Sequence, residues 1–172
     1  MLAAAMLAVV LTPQHRIVGD LALRDQRLSD FLNDRRESVI RLVNASVSRA
    51  SEPDAAVERH ATAVIHKRGA LVVFGIADPS PTSSQRLYAR VAKQTHEVLL
   101  AVDSLEVRGR LHTSGGLDAA EIQRLTSPRD SFLPITDAVV SVDGMHEHDI
   151  RQDTLMVNIE HIRFVARVDA GA

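Results

Sequence analysis

IHKRGALVVFGI, residues 65–76, sets two apolar runs on either side of Lys67-Arg68-Gly69. Runs of four to eight Val, Ile and Leu residues bounded by turn chemistry read as strands, so this stretch predicts two short strands meeting at a basic turn. Gly69 would supply the backbone freedom of a tight bend. Lys67 and Arg68 are then either solvated turn residues or a phosphate contact for nucleic acid. The choice depends on what the rest of the chain builds around them.

Working outward, the chain repeats itself, and a repeat governs the whole fold. Residues 9–21 lie over residues 99–111, with Gly19 on Gly109 and Leu21 on Leu111, 90 positions on. VIRLVNASVS from Val39 lies over FLPITDAVVS from Phe132, placing Asn44-Ala45 on Asp137-Ala138 at an offset of 93. TAVIHKRGALVVFGI from Thr62 lies over LMVNIEHIRFVARV from Leu155, again at 93. Three blocks in one order predict a tandem duplication. Residues 1–78 form the first copy, 79–94 a linker and helix, and 95–172 the second copy.

Each copy reads as five strands. In the first they are expected near 6–12, 15–23, 38–48, 58–66 and 70–77. In the second they are expected near 96–102, 105–113, 131–142, 154–159 and 162–168. Gly19 and Gly109 interrupt strand-like segments, where glycine marks a sharp bend or a close approach of backbone. RLSDFLND, residues 27–34, predicts a short helix capped by Ser29, and LDAAEIQRL, residues 117–125, its counterpart. Both inserts fall between the second and third strands. Phe31, Leu32, Ile122 and Leu125 on these inserts would either pack on the sheet or form a docking face for a protein partner.

With 172 residues and 45% hydrophobic content, the chain can bury a real core. Twenty basic and 22 acidic side chains leave a formal charge of −2, which supplies no global attraction for phosphates or anionic lipid. No cysteine is present, so disulfides, thiolate metal sites and a cysteine nucleophile are excluded, and a cytoplasmic location is expected. Residues 1–11 are apolar but lack the basic flank of a signal peptide. They fall short of the roughly 20 residues of a spanning helix, so a first strand and no membrane association are expected. The chain has no Trp, one Tyr and four Phe, too few for the usual base-stacking platform.

These residues resemble the Sm-like fold. The first Sm motif would be HRIVGDLAL (15–23) with VIRLVNA (39–45), and the second AVIHKRGALVVFGI (63–76). The second copy would follow as LEVRGRLHT (105–113), FLPITDA (132–138) and MVNIEHIRFVARV (156–168). The resemblance implies a mainly β protein of two tandem five-stranded barrels related by pseudo-symmetry. It also implies rings built by pairing the fourth strand of one unit with the fifth of the next. A second likeness, carried by RLSDFLN (27–33) and FLPITDA, is to an uncharacterised bacterial family and implies no function.

An open five-stranded unit leaves unpaired edges that must be covered or joined to another chain. Homo-oligomerisation is therefore expected, as a trimer of tandem units or a two-fold dimer. The candidate edge residues are Leu71, Val72, Val73, Phe74, Phe164 and Val165. RNA contact in the Sm-like family uses an Asp-x-x-x-Asn loop and an Arg-Gly turn. The turn is found once, as Arg68-Gly69, and Val39 and Phe132 stand where the loop asparagine would be. Lys67, Arg68 and Gly69 thus remain the candidate RNA-binding residues, although nucleic acid is not the favoured partner.

Other chemistry is sparse. MHEHD, residues 145–149, reads as a polar loop in which His146 and His148 could share a metal only if a third ligand joined them. No Ser-His-Asp order, phosphate loop or carboxylate pair demands catalysis, and no cofactor motif occurs. The sequence therefore points to a non-catalytic oligomeric scaffold or adaptor that binds a protein partner, with an RNA-binding Sm-like protein as the alternative.

Overall fold

The computed structural model describes residues 5–76, 94–118, 120, 122 and 131–168. The first half contains β1 (Ala5–Leu11), β2 (His15–Ala22), α1 (Leu28–Asn33), β3 (Val39–Arg49), β4 (Glu58–His66) and β5 (Val72–Gly75). The second contains β6 (Gln94–Val102), β7 (Leu105–Thr113), β8 (Phe132–Val142), β9 (Met145–Asn158) and β10 (Ile162–Arg167). A 3-10 turn follows the fourth strand of each half, at Lys67–Gly69 and Ile159–His161.

The ten strands make one antiparallel sheet in the order β10-β6-β7-β8-β9-β5-β1-β2-β3-β4. Each half thus runs fifth, first, second, third, fourth, and the halves meet where β5 pairs with β9. The sheet is open, so the expectation of two barrels is corrected to a single mainly β sheet. The reason lies in residues 65–76. They do not form a hairpin, because the 3-10 turn carries the chain off β4 and delivers β5 between β1 and β9. A β5 hydrogen-bonded on both sides has no edge left to close its half against β4. Gly69 does not take a left-handed φ in this turn, so the expected need for glycine there is also corrected.

The repeat is visible bond by bond. Lys67 N–H donates to the Ser38 carbonyl at 2.9 Å, and Ile159 N–H donates to the Ser131 carbonyl at 2.9 Å. Val39 faces His66 as Phe132 faces Asn158, so the offset at the fourth strand is 92 rather than 93. Arg68 and Gly69 therefore correspond to Glu160 and His161.

Gly19 and Gly109 do mark close backbone approach. Asn44 (φ 52°) and Asp137 (φ 47°) each turn left-handed within β3 and β8, and the ladders to β2 and β7 shift register there. This bulge drives backbone against the facing glycine. A Cβ on Gly19 would sit 2.9 Å from the Val43 carbonyl oxygen, and one on Gly109 would sit 2.8 Å from that of Thr136.

The core spans the junction. Along β1, Ala8 and Val10 pack with the first half, while Val9 and Leu11 pack into a cluster dominated by the second. On the β5 side, Val73 faces the first cluster and Val72 and Phe74 the second. Residues 8–11 of β1 and 72–74 of β5 are buried on both faces, which is why they read as continuous apolar runs rather than alternating ones. Phe132 and Met156 return the exchange by packing in the first half's cluster.

α1 is capped by Arg27 without a side-chain bond, so the expected Ser29 cap is corrected; Ser29 Oγ instead lies 3.5 Å from Asp30 Oδ1. In the second insert Ile122 N–H donates to the Asp118 carbonyl at 3.0 Å. Leu125 and the linker 79–93 lie outside the described residues, and Gln94 begins β6.

Candidate functional site: the junction and the open edges

Among the described residues side chains join the halves at four places: Ser104 Oγ donates to the Pro13 carbonyl at 3.3 Å, and three larger devices each sit at an element end. Asn33, the last residue of α1, accepts from the Ser131 and Phe132 N–H groups at 2.9 and 2.8 Å and donates to the Phe132 carbonyl at 3.2 Å. Asn158, the last residue of β9, is buried. It donates from Nδ2 to the Lys67 and Ala70 carbonyls at 3.2 and 2.8 Å, while its Oδ1 accepts from Glu160 N–H at 3.1 Å. Its backbone N–H donates to the Leu71 carbonyl at 2.9 Å. The Asn158 amide thus serves the Ala70 carbonyl and adds a second bond to the Lys67 carbonyl, which also accepts from the Ala70 N–H at 3.1 Å.

The third device is ionic. His161 Nδ1 lies 2.6 Å from Asp103 Oδ2, and His161 Nε2 lies 2.6 Å from the Arg68 carbonyl oxygen. Arg163 clamps the other carboxylate oxygen from Nε at 2.7 Å and Nη2 at 2.5 Å. Partial burial pushes the Asp103 carboxyl up, but the hydrogen bonds from Arg163 and His161, with their charges, more than offset this and hold it below the usual carboxylate range.

The basic turn is largely structural. Lys67 is buried and donates its amine to the Phe31 carbonyl at 2.5 Å and the Asp34 carbonyl at 3.0 Å, 4.6 Å from the centre of the Phe31 ring. Burial lowers its pKa from the usual lysine range, against the opposing pull of Glu37 and Asp34. The expectation of a solvated turn lysine is thereby corrected, and the alternative phosphate contact would have to compete with main-chain oxygens already bound to the ammonium. Arg68 keeps an exposed side chain, and Gly69 has open space around it. A cleft of about 880 Å³ opens beside this turn, between Leu32, Asn33, His66, Arg68, Phe132 and Ile159.

Of the candidate docking residues, Phe31 and Leu32 are buried in the first half's core, which is the packing alternative of the two readings. Ile122 is partly buried. The helix that carries Phe31 and Leu32 does dock, but through Asn33 and onto the second half of its own chain.

The expected edge residues divide. Leu71, Val72, Val73 and Phe74 are fully or almost fully buried and lie against both β1 and β9, so they are not a free edge. Phe164 and Val165 are on β10, which ends the sheet. The opposite end is β4, whose residues sequence reasoning did not select.

MHEHD is not a loop. Asp143 (φ 50°) and Gly144 (φ 69°) make a two-residue turn, and Met145 pairs directly with Val142. Asp-Gly between two runs is a strong hairpin signal, and it stood in the sequence unread. His146 Nδ1 lies 3.5 Å from Asp149, whose carboxyl accepts from Ser141 Oγ at 2.6 Å; that bond is the main reason its pKa falls below the usual range. Among the described residues no three His, Asp or Glu converge as metal ligands. No helix among them is long and apolar enough to cross a membrane.

Comparison of the chain with protein-family models, with curated proteins and with solved structures found no match.

Proposed function

We propose that the protein is a non-catalytic scaffold of two Sm-like units that assembles head to tail, β10 of one copy pairing with β4 of the next. The observation that carries this reading is the contrast between the internal junction and the two ends of the sheet. By the offset of 92, Val72 corresponds to Phe164 and Met156 to Val64. Val72 and Met156 are 0% and 3% exposed where β5 and β9 lie side by side, whereas Phe164 and Val64 are 51% and 60% exposed at the ends. Leu99 and Ala101 on β6, which stand where Val9 and Leu11 stand on β1, are likewise only partly covered.

Transfer of the internal register places Phe164 opposite Ile65 and Val165 opposite Val64 of a second copy. Such pairing would satisfy the unpaired N–H and C=O groups at both ends and cover exposed apolar side chains. The contact is heterologous, so it either closes into a ring or grows as a filament. A ring would present the cleft beside the basic turn once per chain, as an array for an adaptor's partners.

The test is solution mass by sedimentation or light scattering at micromolar concentration. The unaltered chain is expected above single-chain mass, and Phe164→Lys or Val64→Lys alone each to shorten the assembly. Mixing the two variants is expected to give a complex of two chains that stops, because each retains one intact end. A single-chain mass for the unaltered protein overturns the reading.

A further inference from the structure

We propose that His161 is a proton-dependent latch between the two halves of the chain, engaged when its ring carries both protons and released when it carries one. Its two ring nitrogens each face an oxygen at 2.6 Å, the Asp103 carboxylate on one side and the Arg68 carbonyl on the other. Neither oxygen has a hydrogen to give. A neutral imidazole has one N–H and one lone pair, so only the imidazolium can donate to both.

Which bond is lost on deprotonation follows from the surroundings. Asp103 is an anion held by two contacts from Arg163, and a charge-assisted bond to it is stronger than one to a neutral carbonyl. The neutral ring therefore keeps its proton on Nδ1. Nε2 is left with a lone pair aimed at the Arg68 oxygen, and attraction becomes repulsion. Asp103 and His161 both belong to the second half, and Arg68 to the first. The proton-dependent bond is thus the one that crosses the junction.

Among the described residues the charged groups around the ring are few. Asp103 comes from the β6–β7 turn and Arg163 from β10; Glu160 precedes the ring, and Lys67 and Arg68 lie on the 3-10 turn opposite. Lys67 is turned away to Phe31 and Asp34, so Asp103 is the anion in direct contact. Gly69 stands at the corresponding position of the first half, so the sheet's open ends carry no such latch. The latch lies within one chain and stands whether or not copies associate.

Imidazoles exchange their second proton between about pH 5 and 8, which sets the range to examine. In the full chain, ring nitrogen NMR is expected to show both nitrogens protonated at the acid end of that range, and Nε2 alone losing its proton as pH rises. Over the same range, amide-exchange protection of Asn158, corrected for intrinsic rate, is expected to fall about tenfold relative to the β2–β3 ladder. His161→Gln should remove that pH dependence. A lone pair on Nε2 throughout the range, constant protection across it, or an unchanged pH dependence in the variant would each overturn the latch. If the variant does not fold, the ring signature in the unaltered protein decides.

Discussion

Val64 and Met156 hold the same place in the two halves, yet Val64 is 60% exposed and Met156 is 3% exposed. The difference arises because β9 has β5 beyond it and β4 has no strand beyond it among the described residues. Met156→Ala should therefore cost about 2–5 kcal/mol, since it opens a cavity in the first half's core. Val64→Ala, measured at a dilution where copies are separate, should stay within about 0.5 kcal/mol. Urea midpoints of the two variants check the contrast, and equal losses would refute the assignment of β4 as a free end.

The paired glycines give a second contrast. Gly109→Ala places a methyl 2.6 Å from Ile135 Cγ2 and 2.8 Å from the Thr136 carbonyl, and Gly19→Ala places one 2.9 Å from that of Val43. Both should destabilise by about 1–3 kcal/mol through overpacking, Gly109 the more. Gly69→Ala meets no atom within 4 Å and should be close to neutral. Equilibrium unfolding of the three variants orders them.

Lys67 and Arg68 are adjacent and should respond oppositely. Lys67→Met removes the amine that serves the Phe31 and Asp34 carbonyls, and should cost about 1–3 kcal/mol. Arg68→Ala leaves its carbonyl in place for His161 and should change stability by no more than about 0.5 kcal/mol. Salt-dependent binding of an oligonucleotide that Arg68→Ala abolishes would instead revive a nucleic-acid role for the turn.

Acid should weaken the junction from the Asp103 side. Its carboxyl has a lower pKa folded than unfolded, so its stabilisation is complete above the unfolded value of about 3.9 and is lost as pH falls through the folded value. Below about pH 4 the unaltered protein should lose stability faster than Asp103→Asn, which has no proton to take up there. Urea midpoints at successive pH values compare the slopes, and parallel curves would remove Asp103 from the acid response.

Much of the strand layout was legible because local composition and strand formation share a cause. The runs around Val9, Val18, Val47 and Val107 predicted strands that occur close to the expected bounds, and the glycine spacing exposed the repeat and two places where a bend or a close backbone approach was due. The polar beginning of β9 escaped because His146, Glu147, His148 and Asp149 offer no apolar alternation. Their pairing is imposed by the Asp143-Gly144 turn. The roles of Asn33, Asn158 and His161 were also out of reach, because each bonds to groups about 90 positions away.

By itself, then, the sequence determined where most of the strands lie, that they come in two matching sets, and that Gly19 and Gly109 mark either a bend or a close approach of backbone. Those properties follow from side-chain volume and backbone sterics within a few residues. Only the tertiary structure decided that β5 lies between β1 and β9, that Lys67 turns inward, and that β4 and β10 are the end strands of the described sheet. Hydrogen-bonding capacity is the same along every strand, so the choice of neighbour falls to long-range burial. The choice that buries β1 and β5 on both faces leaves Val64 and Phe164 exposed at the ends.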